Sequence, residues 1–63
     1  MKVVLKSNTL GKYLSKYSLD SGISFDGLTK KDAIKFGLDK VADVIVWVTV
    51  IVGNDLDLRL EVI

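Results

Sequence analysis

The side chains able to do chemistry in this chain of 63 residues are lysines, a single arginine, carboxylates, two tyrosines and hydroxyls, because it contains neither cysteine nor histidine. Nucleophilic catalysis of the serine-histidine or cysteine-histidine kind is therefore excluded. Zinc and other soft metals lose their usual ligands, and no disulfide can form. Asp55 and Asp57, with Asn54 and Glu61 near them, offer oxygen ligands to a hard cation. Their spacing does not match a calcium loop, and the glycine at its sixth position is missing. Alternating acidic residues on the solvent side of an edge strand explain them more simply and discourage unwanted pairing. Gly22 and Gly27 flank a short segment without a phosphate-loop pattern. A pair of glycosidase carboxylates needs a cleft larger than this chain can enclose. The expectation is a protein with no enzymatic activity, no cofactor and no metal.

Charge is the remaining signal. Residues 1–40 carry eight lysines against four aspartates, a balance of +4, and residues 41–63 carry Arg59 against Asp43, Asp55, Asp57 and Glu61, a balance of −3. An acidic partner would meet the first part of the chain, although solvation of helix surfaces accounts for the same lysines.

These groups must be positioned by a single domain, which at this length buries only about 60% of the surface its unfolded chain exposes. Lys2 to Lys6 alternates as a short strand. Leu10, Tyr13, Leu14 and Tyr17 follow at helical spacing and predict a helix over residues 9–19, stopped by Asp20-Ser21-Gly22. Ile23-Ser24-Phe25 is a short extended segment. Thr29-Lys30-Lys31-Asp32 has the form of a capping box and predicts a second helix, with Ile34, Leu38 and Val41 on its apolar line. Residues 44–52 are almost all β-branched or aromatic and predict a strand apolar on both faces. Gly53-Asn54 then turns into a last strand, with Leu56, Leu58, Leu60 and Val62 on one side and Asp55, Asp57, Arg59 and Glu61 on the other. The expected fold is α+β: a small antiparallel sheet, made of the N-terminal strand and the C-terminal hairpin, with two helices packed on one face, in the order β-α-(β)-α-β-β.

A strand that is apolar front and back needs more cover than so short a chain supplies. With 49% apolar residues, self-association as a homodimer or higher oligomer is the expected working state. Ile45, Trp47, Thr49 and Ile51 form one alternate set of that strand and are the expected oligomer interface, with Val44, Val46, Val48, Val50 and Val52 as the other set that could face outward. The function expected is a non-catalytic binding module acting on a protein partner, in the manner of an inhibitor, adaptor or antitoxin. No secretory signal is evident, and residues 44–52 fall short of the roughly 20 apolar residues of a spanning helix. The expected location is cytoplasmic, with no membrane partner.

The stretch from Gly27 to Leu38, preceded by a helical pattern and a lysine-bearing strand, resembles ribbon-helix-helix DNA-binding proteins over about half of the chain. The resemblance implies an alternative function as a DNA-binding regulator. N-terminal strands of two subunits would enter the major groove. Lys2, Val4 and Lys6 would contact bases, while Thr29, Lys30 and Lys31, at the start of the second helix, would hold phosphate.

Overall fold

Residues 2–7 set three consecutive apolar residues, Val3-Val4-Leu5, between Lys2 and Lys6 until serine closes the run, and they form the strand around which the remaining elements assemble. The computed structural model describes residues 1–18 and 20–63. Strand β1 (Lys2–Ser7) is followed by the short strands β2 (Lys12–Tyr13), β3 (Lys16–Ser18) and β4 (Gly22–Ser24). A single 3-10 turn, Lys30–Asp32, leads to β5 (Phe36–Gly37), the helix α1 (Leu38–Val52) and the last strand β6 (Leu58–Val62). β1 is central: β6 pairs antiparallel along one edge, and β2 and β5 pair antiparallel with opposite ends of the other. β3 and β4 form a separate two-stranded antiparallel sheet.

The fold is thus α+β, but it has one helix rather than two among the described residues, and its strands form two small antiparallel sheets. The helix expected over residues 9–19 is replaced by β2 and β3, apart from its end at Leu19, which lies outside the described residues. Leu14 shows why. Its N–H donates to the Leu5 carbonyl at 2.8 Å and its carbonyl accepts from Ile34 N–H at 3.0 Å, so its backbone is bonded across the sheet rather than along a helix. Gly22, with φ +90°, occupies the conformation expected of it, but at the hairpin joining β3 to β4 rather than at a helix end.

The capping-box residues make a single turn only. Thr29 Oγ1 donates to Asp32 Oδ2 at 3.4 Å, while Asp32 N–H bonds to the Thr29 carbonyl. By Ala33 the backbone is extended again. Ala33 is buried with Val4 and Tyr13, and this contact overrides continuation of the helix.

The largest departure is at residues 44–52, which are helical instead of forming a strand, so the C-terminal hairpin does not exist. Val41, Val44 and Val48 are buried at i, i+3 and i+7, and Ile45 packs beside them. Valine and isoleucine lose at most roughly 0.7 kcal/mol per residue in a helix. A central strand, by contrast, needs neighbours on both edges for its backbone groups, and β1 has already taken the available strands. A helix closes its own hydrogen bonds and still offers an apolar stripe. Gly53, at φ +107°, ends it by donating its N–H to the Thr49 carbonyl at 2.9 Å.

The strand covered on both faces is therefore β1, where Val3, Val4, Leu5 and Ser7 are all buried. Leu5 joins Leu14, Val44 and Val48 in the main core on the helix side, and Val4 joins Tyr13 and Ala33 on the opposite side. Ser7 is satisfied within this interior: its Oγ donates to the Leu56 carbonyl at 2.6 Å and accepts from Leu10 N–H at 3.1 Å.

Candidate contact surfaces

Two uncovered apolar surfaces and one charge-bearing face follow from this arrangement. The first is the outer side of α1. A helix advances 200° over two residues, so a set that shares one side of a strand is split across opposite sides of a helix. Of the expected interface residues, Ile45 packs against the core and Thr49 is half-buried, while Trp47 and Ile51 point outward with Val46 and Val50. Val46 is 60%, Trp47 50%, Val50 71% and Ile51 57% exposed. Together they make a patch on the order of 400 Å², as large as the biggest patch of many monomers. Val46 and Val50 fell in the other alternate set because a strand assignment placed them with Val44 and Val48.

The second is the free edge of β6. Leu56 and Leu58 pack against the core, but Leu60 and Val62 remain 46% and 55% exposed on the helix side, so the expected covered row is covered over only half its length.

The third is the face of the sheet opposite α1. Antiparallel pairing sets Lys6 beside Tyr13 and Arg59, and Val4 beside Glu61. Tyr13 Oη donates to Glu61 Oε1 at 2.8 Å, and Lys30 Nζ lies 3.5 Å from the same oxygen. Lys6 Nζ sits 5.5 Å above the Tyr13 ring. Among the residues expected to contact nucleic acid, Lys6 and Lys30 meet here, and alternation along β1 places Lys2 on the same face. Lys31 and Thr29 are exposed in the turn and do not stand at a helix start. β1 itself is paired on both edges within its own chain, so it cannot form the two-subunit ribbon of the ribbon-helix-helix arrangement.

The Tyr13 hydrogen bond, followed by Lys30 and Lys6, holds the Glu61 carboxyl below the usual glutamate range. Asn8, then Arg59, does the same for Asp57. The bond to Glu61 raises the Tyr13 hydroxyl in turn. A carboxylate whose pKa is depressed on folding stabilises the fold above its unfolded value and loses that contribution as pH falls through its folded value. Stability should therefore decline on acidification, and Glu61→Gln should shallow the decline between about pH 5 and pH 3. Urea denaturation at a series of pH values checks this; parallel profiles for the two proteins would contradict it.

No cavity of ligand size and no cluster of three or more potential metal ligands occurs among the described residues. Among the described residues no helix is long and apolar enough to cross a membrane. No family model, curated protein or solved structure matches the chain.

Proposed function

We propose that this chain is a non-catalytic binding module that works through protein contact, associating with copies of itself and presenting the outer side of α1 to a protein partner. The observation that carries the reading is the apolar surface that the fold leaves uncovered on α1. The accessible surface of 4160 Å² is close to the roughly 4,000 Å² expected of a folded monomer of this mass. Val46, Trp47, Val50 and Ile51 are exposed because one side of a helix suffices to cover the sheet, not because the chain is loosely packed. Lack of cysteine and histidine supports a role without catalysis.

Sedimentation velocity at micromolar concentration tests the association, which is expected to give a mass above that of one chain. A folded monomer throughout would overturn it. Trp47 is the only tryptophan. Its fluorescence should therefore shift to the blue, and resist acrylamide quenching, whenever another chain covers α1.

A second reading, duplex nucleic-acid binding, draws on the shared face of Lys2, Lys6, Lys30 and Arg59. Its affinity should fall steeply with salt, as phosphate contacts require. Absence of binding at about 50 mM salt would remove it.

A further inference from the structure

The backbone of β6 has a direction that its side chains do not reveal. On β1, Leu5 and Ser7 use their carbonyls on the β2 side, accepting from Leu14 N–H and Gly11 N–H, each at 2.8 Å. Lys2 accepts on the other side, from Ile63 N–H at 3.3 Å. Alternation then turns the even residues of β1 toward β6, so that Glu61 and Arg59 bond inward. The N–H and C=O groups of Leu58, Leu60 and Val62 point outward along an edge with no neighbouring strand among the described residues.

We propose that a second copy of this chain docks on this edge, with β6 running antiparallel to the partner's β6 about a two-fold axis through Leu60. The proposal rests on the self-association inferred above and names its surface. Outward backbone groups can bond only to outward ones, so Leu58, Leu60 and Val62 must pair among themselves. In the register centred on Leu60, Leu58 bonds with the partner's Val62 and Leu60 with the partner's Leu60. Arg59 then lies opposite the partner's Glu61, and Glu61 opposite the partner's Arg59. These are non-hydrogen-bonded pairs, in which side chains approach most closely.

The next registers that the backbone permits are selected against. Centring on Glu61 sets it against its own copy, and centring on Arg59 does the same while placing Asp57 against the partner's Glu61. Like charges directly opposite are destabilising. Charge complementarity and backbone parity therefore choose one register.

The contacts at Glu61 and Val62 accommodate it, and Arg59, now 3.2 Å from its own Asp57 through an exposed pair, can turn to the partner. Tyr13 and Lys30 both engage Glu61 Oε1, which leaves Oε2 for the partner's Arg59. Lys30 Nζ donates to the Val62 carbonyl at 3.0 Å, and a carbonyl has a second lone pair for the partner's Leu58 N–H. On the side that carries α1, Leu58, Leu60 and Val62 of the two copies join in one apolar row, which covers the exposed half of β6.

Charge exchange across the edge tests this. Arg59→Glu and Glu61→Arg should each weaken dimerisation about tenfold or more, because each sets like charges opposite at two places. Mixed in equal amounts, the two variants restore both opposite-charge pairs, and sedimentation should show a heterodimer. Hydrogen exchange of the wild-type chain over a concentration series supplies a readout independent of any variant's folding. The Leu58, Leu60 and Val62 amides should gain protection as dimer forms. A wild-type chain that stays monomeric would overturn both this pairing and the self-association beneath it. A dimer whose three amides exchange freely, or whose single variants retain wild-type affinity, would overturn the β6 pairing alone and assign self-association to another face.

Discussion

Val48→Asp should abolish folding, whereas Val50→Asp, two residues away, should leave a folded protein. Val48 is 0% exposed and belongs to the main core; Val50 is among the most exposed apolar residues. Removing a buried valine forfeits about 1.5–3 kcal/mol, and an unpaired buried carboxylate adds several kcal/mol. A domain of this length has only about 3–9 kcal/mol of stability to lose. At Val50 the aspartate stays in water, and its proximity to the negative end of the helix costs about 0.3–1 kcal/mol. Circular dichroism and urea denaturation of the two variants decide the matter. Were residues 44–52 a strand, positions 48 and 50 would share a face and the two substitutions would behave alike, so equal effects would contradict the helix.

Leu14→Ala should cost about 2–5 kcal/mol, much of the total stability, while Leu10→Ala changes little. Leu14 is 0% exposed and packs with Leu5, Val44 and Val48, whereas Leu10 is half exposed. For a domain this small each kcal/mol moves Tm by about 4–8 °C, so thermal melting separates the pair easily. A cost below about 1 kcal/mol at Leu14 would show that the site can collapse around the smaller side chain.

Both contrasts fall where local pattern is ambiguous. Between Val44 and Val52 only Thr49 interrupts the apolar residues, so periods of 2 and 3.6 fit equally well and β-branching favours the strand. The deciding row is Val41, Val44 and Val48, which begins on the far side of Asp43. Read together with Ile34 and Leu38, Val41 belongs to a different helix, and the row disappears. Leu10, Tyr13, Leu14 and Tyr17 mislead in the same way. Their spacing suits a helix, yet Gly11 at φ +68° turns the chain back so that Tyr13 lies beside Lys6.

The exposed side of α1 was partly legible. Trp47 and Ile51 share one side under either periodicity, because they are four apart, and both are exposed. Ile45 and Thr49 depended on the period and turned inward with it. Lys2 and Lys6 needed only their even spacing on β1, while the meeting of Lys6 with Lys30 and Glu61 depended on a turn and a strand far apart in the chain.

Composition alone removed thiol and imidazole chemistry, and strict alternation was enough to mark the last strand, since a period of 2 with charge on every other residue has no helical counterpart. The first strand was marked by its short apolar run between two lysines. Long-range pairing decided everything else. β1 acquired partners on both edges and left no place for another central strand, so the valine-rich segment had to satisfy its own backbone as a helix. That coil then divided its apolar side chains between the core and solvent.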